Sequence, residues 1–188
     1  MATFHSLTVD QYHRMIANGI LPEGEPIELI EGCLVEKMSR GTPHDGAMDF
    51  LDQSFASLIP AGWFVRSQRA ITLADSEPEP DYAVVRGPRV RNRGHHPLAT
   101  ELSLVIEVSD SSLGLDRTYK ARIYARPGIP VYWVVNIAEK QIEVYTQPSG
   151  PCESPACAKQ ELFPVGSNVP VVLDGNAVGT IATADVMG

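Results

Sequence analysis

The chain of 188 residues is short of cysteine and of aromatic residues, and it has no long apolar run. Each shortage excludes something. Three cysteines (Cys33, Cys152 and Cys157) are an odd number and too few for a disulfide scaffold, so free thiols in a reducing cytosol are expected. No apolar stretch approaches the length of a membrane span. The first residues lack the basic start and apolar block of a signal peptide, so a cytoplasmic protein with no membrane partner is expected. An aromatic content of 7% argues against the aromatic-rich cleft of a two-carboxylate glycosidase. Repeats and low-complexity tracts are missing as well. With 44% hydrophobic and 20% charged residues, neither a disordered tail nor a coiled coil fits, and one domain over 1–188 is the natural size.

Basic residues are also in short supply. Fifteen Lys and Arg face 23 acids, giving −8. That argues against nucleic acid as a partner until the charge is mapped along the chain. Residues 1–65 hold nine acids and three bases (−6), residues 66–126 eight and ten (+2), and residues 127–188 six and two (−4). The middle third is a different electrostatic object from its flanks. Residues 86–97 form a loop with Arg86, Arg89, Arg91, Arg93, His95 and His96 and no acid, a candidate strip of phosphate contacts or simply a solvated loop.

Local signals give an order of elements. Thr8 and Gln11 form a capping box for a helix that stops at Gly19. Residues 26–38 read as a β-hairpin turning at Glu31-Gly32, with Glu28 and Ile30 on one face of its first arm. Thr42-Pro43 opens a second helix, whose apolar positions repeat at helical spacing up to Pro60. Trp63–Leu73 reads as a strand and Asp81–Val85 as a short one. Leu102–Val108 is apolar on both faces except at Glu107, so it belongs in the middle of a sheet. Asp116 is placed to cap a helix ending at Pro127-Gly128. Val131–Val135 and Gln141–Tyr145 pair as a hairpin, with Tyr132 and Trp133 in the core. Residues 147–160 read as a surface loop, followed by strands at Leu162–Val165 and Val169–Leu173. This order predicts a mixed α/β (α+β) sheet flanked by helices, with an N-terminal helix and hairpin and extra C-terminal strands.

Three polar positions in the middle third stand out. Asp81 opens a strand after Pro80, Glu107 interrupts an apolar strand, and Lys120 sits on the following helix. Alone, Asp81 is an ordinary residue after a proline turn, and Lys120 is a helix lysine that could pair with Asp116 four residues earlier. Glu107 is harder to dismiss, because a carboxylate in a buried strand needs a cation. Two carboxylates at adjacent strand ends can hold a hard cation such as Mg²⁺ or Mn²⁺. A lysine beside them can orient a water or hold developing negative charge. Together these are the parts for phosphodiester hydrolysis. Cys152 and Cys157 with His95 and His96 make a poor zinc set, since no second paired ligand set exists.

Pro80-Asp81, with Glu107-Val108-Ser109 following 26 residues later, resembles the PD-(D/E)XK nuclease superfamily. More closely, an ordered set of blocks is similar to the Uma-two family of restriction-endonuclease-like proteins, first defined as a domain of unknown function. The blocks are Ile27–Gly32, His44, Pro80–Val85, Val105–Ser109, Asp116–Lys120 with Tyr124, and Tyr132–Val135. They fall within roughly residues 8–146, with a core at about 26–146. The resemblance implies a restriction-endonuclease-like core and a metal-dependent endonuclease acting on DNA. It implies Asp81 and Glu107 as metal ligands, Lys120 and Glu28 in the same catalytic set, and His44 lining the site. A homodimer follows by analogy with restriction enzymes, with the C-terminal strands as the candidate interface. The superfamily lysine slot is occupied by Ser109, which lines the site without supplying charge, and the next helix offers Lys120 instead. Asn136 stands where the family tends to have aspartate, at an expected turn position. The alternative on the same fold is a non-catalytic module that binds DNA or a protein.

Overall fold

The computed structural model describes residues 5–22 and 24–188. A six-stranded mixed sheet organises the molecule, in the order β3-β4-β5-β6-β7-β8. These strands are Trp63–Ser67, Tyr82–Arg86, Leu102–Ser109, Val131–Asn136, Gln141–Pro148 and Cys157–Pro164. β5 and β6 run parallel and the other neighbours pair antiparallel. A parallel pair needs a crossover. Here it is a helical run over 113–125, made of α3 (Leu113–Leu115), a π turn (Asp116–Lys120) and α4 (Ala121–Ala125).

Period-two alternation sorts the strand residues onto two faces. Val84, Leu104, Ile106, Trp133 and Val135 face α2 (Thr42–Leu58) and are sealed by the hairpin β9–β10 (Asn168–Leu173 and Asn176–Ala182) and α5 (Thr183–Met187). Ala83, Val85, Val105, Tyr132 and Val134 face the helical run and the chain at Ile71 and Leu73. Against that second face lies the N-terminal hairpin β1–β2 (Ile27–Ile30 and Cys33–Glu36), outside which runs α1 (Val9–Ala17).

The strongest local signals hold. The Thr8–Gln11 capping box opens α1. The hairpin turns through Glu31 (φ 49°) and Gly32 (φ 76°), the two positive φ angles that the tight turn requires. Glu31 tolerates the strain because Arg122 and Arg126 grip its carboxylate. All eight residues of β5 are buried, as are Tyr132 and Trp133.

Several expectations are corrected. Gly41, not Thr42, is the N-cap of α2, with Thr42 already helical. The strand from Trp63 ends at Ser67, because Gln68 takes φ 52° and turns the chain away. Asp116 does not cap a helix. The helical run starts three residues earlier, and Asp116 is buried within it. The loop expected at 147–160 narrows to 149–156, since β7 reaches Pro148 and β8 begins at Cys157. Asn136 ends β6 and closes the turn, its Oδ1 accepting the Glu139 N–H at 3.0 Å, and it is also fully buried, donating to Glu143 Oε1 at 2.8 Å. β10 and α5 carry no sequence signal strong enough to be anticipated. The apolar positions Val169, Val171, Leu173 and Ile181 of β9 and β10 belong to the chain's own core.

Candidate active site

Asp81 precedes β4 and Glu107 lies near the end of β5, and the antiparallel register places these ends side by side, Tyr82 opposite Ile106. The Val108 N–H donates to Asp81 Oδ2 at 2.8 Å, which fixes the aspartate against the residue that follows Glu107. Residues 105, 107 and 109 share the face that carries the helical run, so Glu107 points beneath that run.

The helical run supplies the partners. Lys120 Nζ lies 3.0 Å from Glu107 Oε1 and 2.9 Å from Glu28 Oε2. All three side chains are buried. Tyr124, one turn on, donates to Glu107 Oε1 at 2.6 Å. Asp116, one turn back, accepts from Ser109 Oγ at 2.6 Å and Ser112 Oγ at 2.5 Å, tying the run to the end of β5. Asp116, Lys120 and Tyr124 are spaced by four. In an α-helix each step of four overshoots a full turn by about 40°. The wider π turn between Asp116 and Lys120 counters that drift and keeps the three on one side.

Glu28 comes from β1. Its Oε1 accepts the Glu79 N–H at 2.7 Å, which fixes the carboxylate toward Lys120. His44, in the first turn of α2, places Nε2 3.2 Å from Asp81 Oδ1. Its buried Nδ1 makes no hydrogen bond, with Asp45 Oδ1 3.5 Å away. Glu28, His44, Asp81, Glu107, Ser109 and Lys120 therefore gather at one end of the sheet. Sequence reasoning missed Tyr124 and Asp116 as members of this cluster; their four-residue spacing from Lys120 was the available signal.

The four arginines of the basic loop do not join them. β4 runs away from Asp81 for five residues, about 17 Å, before the loop begins. Arg86 at its far end is held by Asp174 in a two-pronged pair, Nη2–Oδ1 2.5 Å and Nε–Oδ2 3.0 Å. Arg89, Arg91 and Arg93 lie in a 3₁₀ turn beyond it.

The electrostatics follow from burial and crowding. Burial chiefly, then the neighbouring Asp116, Asp81 and Glu28, push the Glu107 carboxyl up to about 8 despite the pull of Lys120. Burial works against charge on Lys120, but Glu107 and Glu28 outweigh it and hold the ammonium protonated. Burial likewise opposes charge on His44, and the hydrogen bond and charge of Asp81 overcome it, raising its pKa. Asp116 is raised by burial, in part offset by its two serine donors.

The side chains line a pocket of about 70 Å³, room for a few waters and not for a nucleotide. Seven acids against Lys37, Arg40 and Lys120 border it. It shares Glu36–Arg40 and Glu79 with an open groove of about 1150 Å³, walled on its far side by Tyr12 and Ile16 of α1. Among the described residues no three His, Cys, Asp or Glu side chains form a metal cage. The donors here suit a different kind of ion. Asp81 and Glu107 offer hard carboxylate oxygens, and Glu107 Oε2 has no hydrogen-bond donor among the described residues. The cluster has more acids than cations. Mg²⁺ needs only one or two protein carboxylates and keeps its waters.

The same architecture occurs in a solved protein. A protein from Anabaena variabilis, described as a "putative nuclease belonging to DUF820", superposes with a TM-score of 0.66 at 18% identity, over 96% of this chain and 97% of that one. The fold is thus that of a nuclease-like α+β protein. No curated protein matches the chain. The Uma2 family model, described as "Putative restriction endonuclease", matches residues 9–172, and the chain belongs to that family.

Proposed function

We propose that the protein is a divalent-metal-dependent endonuclease that hydrolyses phosphodiester bonds in DNA. The observation that carries this reading is the buried Glu28–Lys120–Glu107 bridge beside the Asp81–His44 pair, at the floor of a pocket that opens into a groove. Asp81 and the free oxygen of Glu107 would hold a Mg²⁺ or Mn²⁺ ion. Such an ion lowers the pKa of water and neutralises charge on a phosphoryl group.

The chain's own groups do the rest. Lys120 is kept cationic by its two carboxylates and offers N–H donors at the pocket floor, to orient an attacking water or to meet the charge that develops on phosphorus oxygens. Tyr124 and Lys120 occupy one oxygen of Glu107 and leave the other for the ion. Glu28 acts through Lys120 by fixing its ammonium. His44 steadies Asp81. Hydrolysis forms a bond from water oxygen to phosphorus and breaks the opposite P–O ester bond, with a proton passing to the leaving oxygen. A homodimer would supply two such sites for two strands.

The test is cleavage of plasmid and linear DNA with Mg²⁺ or Mn²⁺. Asp81→Asn and Glu107→Gln are expected to lower the rate at least about 100-fold, an effect on the scale of losing a transition-state contact, with unchanged circular dichroism. Equal cleavage by wild type and both folded variants would refute the reading. Absence of cleavage and of Mn²⁺ binding in a folded wild type would favour the non-catalytic module.

A further inference from the structure

The basic loop sits at the far end of β4 from the catalytic pocket, not beside it. Apart from Arg86, its arginines do not pair with acids among the described residues. Among the described residues Arg69, Arg89, Arg91 and Arg93 form no ion pair and no side-chain hydrogen bond, whereas Arg86, Arg117, Arg122 and Arg126 all pair with carboxylates. Two of these unpaired groups, Arg69 and Arg89, border one groove, which in a chain of net charge −8 marks a place for an anion.

That surface contains a groove of about 450 Å³, within the range of small-ligand sites. It runs between α2 and β3, the edge strand of the large sheet. Ile59, Trp63 and Phe64 give it an apolar, aromatic wall, and Arg89 and Arg69 stand at its borders. Asp52 is the one acid on its lining. The Arg89 guanidinium rests over the Phe64 ring at 5.7 Å. Arg86, locked by Asp174, covers the Trp63 ring at 5.2 Å and holds that indole in place, half-buried. Arg89 sits by the start of β3 and Arg69 just past its end, so roughly 14 Å of strand separates them. The Arg69 end leads to the catalytic end of the sheet, because the Gln68 N–H donates to the Asp81 carbonyl at 3.0 Å.

We infer that this β3-edge groove binds an unpaired stretch of nucleic acid, with bases against Trp63 and Ile59 and phosphates on Arg69 and Arg89. Aromatic walls with flanking guanidinium groups are what single strands require, since bases are sequence-tolerant π surfaces and the backbone is a line of charge. A duplex would need a broad basic face, which an open slot one strand wide does not present. The choice of ligand rests on the nucleic-acid reading above, but the site shares no side chain with the catalytic pocket, and the two can fail separately.

Trp63 gives the test a built-in reporter. The other tryptophan, Trp133, is fully buried, so a ligand in the groove acts on Trp63 emission. Oligo(dT) of ten nucleotides is titrated into the full chain in EDTA, where no cleavage occurs. Quenching of tryptophan emission is expected, and Trp63→Phe should abolish the change. The double variant Arg69→Ser/Arg89→Ser should bind at least tenfold more weakly. Its log–log salt slope should be shallower by about 1.4, because two phosphates of a single strand are no longer neutralised. Quenching that is insensitive to salt and to the arginine pair would overturn the inference, as would an equal response to blunt duplex. So would a response confined to an uncharged β-strand peptide that extends the edge of β3. Cleavage without oligo(dT) binding would sink the groove alone, and oligo(dT) binding without cleavage would sink the nuclease reading alone.

Discussion

Replacing Lys120 by Met tests the electrostatics of the site apart from any assay of cleavage. The ammonium is 4% exposed and lies 2.9 and 3.0 Å from two buried carboxylates. At an effective dielectric near 20, each contact amounts to about 5 kcal/mol of Coulomb energy before desolvation is subtracted. Removing one member of a buried pair costs about 3–5 kcal/mol, because the partner stays behind uncompensated. Here the cost has a ceiling, since Glu107, at about 8 with Lys120 in place, is already largely protonated at pH 7 and leaves little uncompensated charge of its own. A loss of about 3 kcal/mol at pH 7 is therefore expected, at the low end of that range. Its pH dependence is the sharper signature. Glu107, at about 8 folded against 4.5 unfolded, already binds more protons folded than unfolded between about pH 4.5 and 8 in the wild type, so stability falls as pH rises through that window; without Lys120 the folded value rises further and the fall continues above pH 8. Urea denaturation in EDTA at pH 7.5 and pH 9.5 should show the variant closer to wild type at the lower pH. Mg²⁺ should then stabilise the variant more than wild type, because it would face one uncompensated charge more. A loss below 1 kcal/mol at pH 7.5 without pH dependence would refute the placement of Lys120 between the carboxylates.

Burial alone would raise the Glu143 carboxyl, but Arg117, Asn136 and Tyr145 together outweigh it and hold the group down to about 2. It should contribute about 3 kcal/mol above pH 4.5, lost as pH falls toward 2, and Glu143→Gln should flatten that part of an acid-denaturation curve. Tyr124→Phe removes one donor from Glu107 Oε1; about 1.5 kcal/mol of stability should be lost. DNA cleavage kinetics should show kcat lowered with KM unchanged. Gly32→Ala forces a side chain into φ 76° with its Cβ 2.5 Å from Ser6 Cβ, and thermal unfolding should report a loss of about 2 kcal/mol or more.

What was legible in the sequence was local. A glutamate inside the apolar run 102–108, a turn at Glu31-Gly32 and the four-residue frame of a capping box each carry their cause within a few residues. Asp81 and Glu107 could be paired because each lies near the end of a short strand. The misreadings were failures of range. Asp116 has the look of a cap, yet its acceptor is satisfied by Ser109 on the preceding strand and by Ser112, so the helix could begin earlier. Asn136 does close a turn, but its full burial depends on Glu143, seven residues away across a hairpin. The arginines between positions 81 and 107 look close to the site because they are close in number. An antiparallel strand carries the chain to the far edge before returning, and only the strand register reveals this. Glu28 is ambiguous for the same reason, since whether a hairpin face meets solvent or a helix is decided by a docking partner 92 residues on.

That 92-residue span bears on how the protein is made. Lys120 cannot meet Glu28 until the N-terminal hairpin, synthesised first, has docked on a helical run that emerges much later. The bridge closes a long loop, and loops of that length close late. A nascent or partly unfolded chain carries all the acids of the pocket but not the arrangement that holds the lysine among them. On the function proposed above, the site would be complete only after that docking, so a half-made chain would lack the lysine in its place among the acids.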